Sequence, residues 1–163
     1  MHDLKIEPAS IEDLPQLTEM VFALFESESD FEPDIDKHER GLRLILEQPN
    51  RGRIFVIRSP AGILGMINLL ITISTAEGGF VLLLEDLVIR PEHRGMGYGT
   101  MLLQHAIEFA MDKHFLRITC LTDKMEEKSR QFFMKNGFFL SNMVPMRFLV
   151  RGEAASHGPM SGT

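Results

Sequence analysis

Gly95, Gly97 and Gly99 alternate with Met96 and Tyr98 in the run Arg94-Gly95-Met96-Gly97-Tyr98-Gly99-Thr100. The run lies between an apolar stretch ended by Pro91 and the start of an amphipathic one. Glycines at this spacing let a backbone turn tightly and approach a ligand closely. A helix that starts at the end of such a loop offers unpaired N–H groups and the positive end of its dipole, which suits a phosphate. The bland alternative is a glycine turn with no ligand, and the strand-loop-helix setting weighs against it. Two nucleotide-binding signatures are excluded. A P-loop ends in Gly-Lys-Ser/Thr, whereas Gly99 is followed by Thr100 and Met101. A dinucleotide fingerprint reads Gly-x-Gly-x-x-Gly after the first strand of a parallel sheet; this loop reads Gly-x-Gly-x-Gly and begins with arginine.

A pair of carboxylates is the second chemical feature. Glu85 and Asp86 interrupt Phe80 to Ile89, a run otherwise apolar and therefore expected to be buried on both faces. An ionised carboxylate there is costly unless it is paired or solvated by a site. Burial would raise its pKa toward what a base for an ammonium needs near neutral pH. Neighbours on a strand point to opposite faces, so only one of the two faces a given site unless a bulge rotates the chain. A structural ion pair is the competing role for each.

The elements that must hold these residues follow from periodicity. Asp3 to Pro8 is expected as a first strand, and Ser10 with Asp13 three residues on reads as a helix start. Leu14, Leu17, Val21 and Leu24 give that helix its inner face, and Pro15 lies within its first turn. Glu26 to Asp36 is an acidic loop, and a second helix runs from Asp36 to Glu47 with Leu42, Ile45 and Leu46 inward. Ile54 to Ile57, Ile63 to Ser74 and Phe80 to Ile89 are strands joined by short turns, an antiparallel meander. Thr100, Gln104, Glu108 and Asp112 then form a polar stripe opposite Leu102, Leu103, Ala106, Ile107 and Ala110, so Tyr98 to Lys113 is an amphipathic helix. Leu116 to Leu121 is the next strand, parallel to Phe80–Ile89 through a right-handed crossover. A helix from Glu126 to Lys135 ends at Asn136-Gly137, and Phe138 to Leu140 and Met143 to Val150 are expected as closing strands. The expected fold is α/β, one domain over residues 1–150 with a mixed, mainly antiparallel sheet flanked by helices. Arg151 to Thr163, rich in Gly, Ser and Ala, is expected to be a disordered tail.

Composition narrows the partners. The 163-residue chain carries a net charge of −6 and no Lys/Arg cluster, which argues against nucleic acid and against an anionic membrane surface. No apolar run reaches the ~18 residues of a membrane helix, and the N-terminus lacks the pattern of a signal peptide. Cys120 is the single cysteine, so an internal disulfide is impossible and a cytoplasmic location is expected. His38, His93, His105 and His114 have no metal-ligand spacing, and no metal is expected. The acids Glu26, Glu28, Asp30, Glu32, Asp34 and Asp36 read first as a solvated loop. Methionines and phenylalanines from Met143 to Phe148 are candidates for a homodimer contact.

The Arg94–Gly99 run resembles the Arg/Gln-x-x-Gly-x-Gly/Ala signature of the GCN5-related N-acetyltransferase (GNAT) superfamily. Leu84 to His93 is similar to that family's fourth strand and its lead into the loop. Ser129-Arg130-Gln131-Phe132-Phe133-Met134-Lys135-Asn136-Gly137-Phe138 resembles its Ala-x-x-Phe-Tyr-x-x-x-Gly-Phe motif. The match is strong from Phe80 to Phe138 and follows the family's order of elements to Val150. It implies acetyl-CoA as co-substrate, bound where the fourth and fifth strands splay apart. Backbone groups of Leu87, Val88 and Ile89 would pair with the pantetheine arm. Amides of Arg94, Gly95, Met96, Gly97, Tyr98, Gly99 and Thr100 would hold the pyrophosphate. The resemblance further implies direct attack of an amine on the thioester, with no acyl-enzyme on Cys120. The Leu-Glu-Asp pattern is similar to the family's small-molecule amine acetyltransferases, in which the acid at Glu85's position can take the amine proton through water. A polyamine or diamine is the narrower version of that acceptor. At Phe133 the pattern breaks: the family usually has a tyrosine there, whose hydroxyl serves the departing thiolate. Water, Ser129 or no donor at all would then serve, or catalysis is weak. A CoA-binding module with little activity and a protein N-terminal or lysine acetyltransferase are the alternatives.

Overall fold

The computed structural model describes residues 3–27, 30–123 and 126–150. Strand β1 (Lys5–Pro8) leads through a 3-10 turn at Ile11–Asp13 into helix α1 (Leu14–Glu26), followed by α2 (Ile35–Leu46). Strands β2 (Gly52–Ser59), β3 (Gly62–Ser74) and β4 (Gly79–Ile89) form the expected meander. Helix α3 (Tyr98–Asp112), the short strand β5 (Ile118–Cys120) and helix α4 (Glu127–Lys135) complete the described elements. The five strands lie in sequence order, antiparallel except for the parallel β4–β5 pair. A helix intervenes between β4 and β5, which is what permits a parallel pair.

Alternation along the strands divides the apolar residues between two cores. Phe55, Ile57, Ile67, Leu69, Leu82 and Leu84 pack with Leu102, Leu103, Ala106 and Ala110 of α3 on one face. Ile54, Val56, Met66 and Val88 pack with Leu14, Leu17, Met20 and Val21 of α1 and Leu42 of α2 on the other. Both helix faces are those that the 3.6-residue period selects.

Ser10 and Asp13 form the expected capping box, with the Ser10 N–H donating to Asp13 Oδ2 at 2.9 Å. Arg58 of β2 grips the same carboxylate through two bonds, 3.1 Å to Oδ1 and 2.9 Å to Oδ2. Burial disfavours the charged form of Asp13, but the Arg58 guanidinium and the Ser10 donors outweigh it and hold the carboxyl below its ordinary 3.8. A folded-state pKa below the unfolded one stabilises above the unfolded pKa and loses that contribution as pH falls through the folded value. Asp13→Asn is therefore expected to lower stability by roughly 1–3 kcal/mol at pH 7, because Arg58 keeps its charge and loses its main partner. Denaturant titrations should show the gap between wild type and variant closing as pH drops below 3.8. A gap independent of pH would show that ionisation of Asp13 contributes nothing.

The closing strands expected over Phe138–Leu140 and Met143–Val150 do not form. Residues 138–150 make no strand ladder. Asn136-Gly137 does stop α4, with Gly137 at φ 95°. Phe138 then turns back, donating its N–H to the Phe133 carbonyl at 3.1 Å and packing its ring on Phe133. Pro145 has no N–H to give a ladder. The expected tail, Arg151 to Thr163, lies outside the described residues. No helix among those described is long and apolar enough to cross a membrane.

Candidate active site

Strand β4 outruns its parallel partner. Its ladder with β5 covers only Leu82, Leu83 and Leu84, opposite Ile118, Thr119 and Cys120. From Asp86 to Ile89 the strand pairs with β3 alone among the described residues, so its other edge of backbone N–H and C=O groups is open. The splay has a local cause: β5 is three residues long, and Leu121 leaves the sheet.

The open edge runs into the glycine loop. Arg94 folds back over the strand end and its Nε donates to the Ile89 carbonyl at 3.0 Å. Gly95 and Gly97 sit at φ 80° and 85°, the left-handed region that glycine alone enters without strain. A Cβ built at either would meet nothing within 4 Å, so the space above the loop is clear. Gly99 has no such backbone demand, and a Cβ there would touch Phe132 Cζ at an ordinary 3.7 Å. Helix α3 has no side-chain cap, and its first hydrogen bond runs from the Met101 N–H to the Gly97 carbonyl. The N–H groups of Tyr98, Gly99 and Thr100 therefore lie ahead of the helix ladder. A cavity of about 270 Å³ above them is lined by Ile89, His93, Arg94, Gly95, Gly97, Tyr98, Gly99, Thr100 and Phe132. Donors, dipole and room together fit a pyrophosphate.

Of the residues singled out from the sequence for the cofactor, Ile89, Arg94, Gly95, Gly97, Tyr98, Gly99 and Thr100 meet at this cavity. Met96 instead lines a neighbouring hollow of about 290 Å³ with Asp3, Leu4, Ser59, Pro60, Leu64, His93 and Tyr98. The side chain of Val88 is buried in the core under α1, and that of Leu87 packs toward α3, so their backbones alone face the open edge. Phe132 and His93 were not singled out as lining residues. Phe132 stood beside Phe133 in the helix motif, and only the packing of α4 shows that it, rather than Phe133, reaches the cavity.

The carboxylates separate sharply. In the β3–β4 register Asn68 pairs with Asp86 and Leu69 with Leu84, so Glu85 is the extra residue of a β-bulge. Glu85 is exposed, contrary to the expected burial of the whole run on both faces, because the bulge lifts it from the ladder and β5 stops at Leu84's partner. Asp86 is buried, and Asn68 Nδ2 donates to its Oδ2 at 2.9 Å. Asn68 was missed, though it is the lone polar residue amid Ile63 to Leu70; its Oδ1 is buried without a partner. Alternation counted forward from Leu83 places Glu85, and counted back from Val88 places Asp86, toward the α1–α2 face. The bulge is thus the condition under which both can serve one site.

Cys120 and Phe133 have structural surroundings. Burial pushes the half-buried Cys120 thiol up to about 11, so it is protonated at neutral pH and a poor nucleophile. Phe133 is 9% exposed, with its ring against Phe132 and Phe138. A hydroxyl buried there without a partner would cost roughly 1–3 kcal/mol, so Phe133→Tyr is expected to lower stability. Turnover should stay within about twofold, because thiols are good leaving groups. A several-fold gain would identify thiolate protonation as the limiting step.

A sequence profile of the acetyltransferase (GNAT) family matches residues 15–138, from the start of α1 to the end of the α4 motif. Streptothricin acetyltransferase A of Bacillus subtilis (strain 168) is 30% identical over 66 residues, covering 40% of this chain and 38% of that protein. The fold is shared with a possible acetyltransferase from Clostridium difficile 630, at a TM-score of 0.83 and 15% identity over 91% of this chain and 98% of that one. It is also shared with the aminoglycoside N-acetyltransferase AAC(6')-Iy in complex with CoA, at a TM-score of 0.76 and 16% identity over 93% and 97% of the two chains. The open β4 edge, the glycine cradle and the profile over most of the sequence agree, and the chain belongs to the acetyltransferase (GNAT) family.

Proposed function

We propose that the chain transfers the acetyl group of acetyl-CoA to a primary amine of a small molecule. The observation that carries this reading is that the open β4 edge ends at Ile89, which itself lines the cavity at Arg94 to Thr100. Backbone groups of Leu87 to Ile89 pair with the pantetheine arm, and the amides from Arg94 to Thr100 hold the pyrophosphate. When bound, acetyl-CoA supplies an activated acyl carbon: a C–N bond forms there as the C–S bond breaks. Glu85, in contact with solvent at the bulge, takes the ammonium proton through water and leaves a free amine to attack. Asp86, held by Asn68, orients the acceptor. The thiolate takes its proton from water, since Phe133 offers none.

The acceptor is a small amine carrying more than one positive charge. Glu26, Glu32 and Asp36 are exposed around the α1–α2 connection, while Asp30 is engaged by Arg147 and Asp34 caps α2. Proteins sharing sequence or fold with this chain include a streptothricin and an aminoglycoside acetyltransferase, which supports that class. The test is free-thiol release with acetyl-CoA and a panel of aminoglycosides, streptothricin, polyamines, amino acids and short peptides. Amine-dependent thiol with a polycationic small molecule is the expected result. Turnover confined to peptides would make this a protein acetyltransferase. Tight acetyl-CoA binding without amine-dependent thiol would make it a binding module.

A further inference from the structure

Asn68 is 2% exposed, yet its Oδ1 has no hydrogen-bond partner among the described residues. The orientation of its amide is fixed. Nδ2 donates to Asp86 Oδ2 at 2.9 Å, and turning the amide over would set two acceptor oxygens against each other. The surrounding side chains offer no other donor. In register Asn68 stands between Ile54 of β2 and Asp86 of β4, and alternation puts Met66 on the same face. Ile54, Met66 and Val88, which pack on that face, carry no polar hydrogen on their side chains. A polar oxygen left bare inside a protein costs stability, and its persistence asks for a donor from outside the chain. The position sharpens that reading. The β3–β4 register shifts immediately after Asn68, so Asn68 lies at the Glu85 bulge, opposite Asp86 and past the last β4 residue that β5 pairs. Bulges re-aim side chains and gather beside active sites.

We propose that Asn68 is a substrate-contacting residue: its Oδ1 accepts one N–H of the acceptor's protonated amine, while its Nδ2 holds Asp86 to accept another. This contact rests on the acetyl-transfer reading above and adds a residue to it. A primary ammonium brings three N–H donors and a positive charge to a place that holds a carboxylate and a bare carbonyl. A hydroxyl brings one donor and no charge, so the pair selects an amine over an alcohol of the same shape. Once Glu85 has taken a proton, the neutral amine keeps two N–H groups, one for Oδ1 and one for Asp86. Both contacts then persist while the lone pair turns to the thioester carbon.

Steady-state kinetics of the full chain at saturating acetyl-CoA test this, with the polyamine or aminoglycoside that gives the fastest amine-dependent thiol release. Asn68→Leu, similar in volume, should raise KM for the amine about 10-fold or more, with the loss carried by KM rather than kcat. The acetyl-CoA-dependent rise in Tm should persist. Because Asn68→Leu strips a buried carboxylate of its donor and risks misfolding, the same change is also made on Asp86→Asn, which buries no charge. There KM should rise about 5-fold beyond that of Asp86→Asn alone, since Oδ1 meets the amine directly. An unchanged KM in folded Asn68→Leu would show that Oδ1 serves a buried water and would overturn the proposal. No further rise on Asp86→Asn would overturn it as well, leaving Asn68 only a support for Asp86. Loss of the Tm rise together with the rise in KM would make its role structural. No amine-dependent thiol from the wild type would instead remove the acetyl-transfer reading, and this contact with it.

Discussion

Gly97→Asp is expected to remove acetyl-CoA binding altogether while leaving the protein folded. At a ligand concentration of 100 times Kd, the wild type should gain about 2.7 kcal/mol of apparent stability. For a domain of this size that is a Tm rise of roughly 5–10 °C. The rise should vanish in the variant. Gly97 sits at φ 85° with nothing within 4 Å of a built Cβ, so the aspartate has room and the backbone strain is about 1–2 kcal/mol. What it adds is a negative charge at the mouth of a cradle of N–H donors. Gly97→Asn separates the causes, because asparagine tolerates the left-handed region and has nearly the same shape without the charge. It should keep most of the rise. Full retention of the rise in a folded Gly97→Asp protein would remove the pyrophosphate from this loop.

Glu85→Gln should lower turnover at neutral pH by about 10²-fold or more, with the acetyl-CoA-dependent Tm rise intact. The substitution keeps size and shape and removes the carboxylate charge together with its ability to take a proton. Asp86→Asn should act mainly through KM for the amine, because Asp86 is buried and bonded to Asn68 while Glu85 meets solvent. Chemical rescue gives an independent readout: a small added base should restore part of the lost rate in the glutamine variant. If Asp86→Asn is the more damaging to turnover, the two carboxylates exchange roles, with Asn68 then serving to position the base.

Much of this protein could be read from local pattern. The 3.6-residue stripes of α1, α2 and α3, the Asn136-Gly137 stop, the turns of the meander and the Gly95–Gly99 spacing each depend on residues close together in the chain. Helix periodicity and turn chemistry act over a few residues, so their elements appear where the pattern places them. The intervening α3 likewise announced a parallel β4–β5 pair.

What only the tertiary structure decided lies where two distant segments must agree. The bulge that exposes Glu85 and buries Asp86 is a mismatch of count between β3 and β4, and neither strand carries it alone. Asn68 meets Asp86 because register sets the two opposite, 18 residues apart in the chain. Phe132 reaches the cavity, and Phe133 the core, by the angle at which α4 packs. The run from Phe138 to Val150 has strand-like composition, yet it forms no ladder, and Arg147 instead ties it to Asp30 in the α1–α2 connection. Composition alone determined that these residues are apolar; whether they join a sheet depends on edges, register and tethers, which no stretch of sequence encodes by itself.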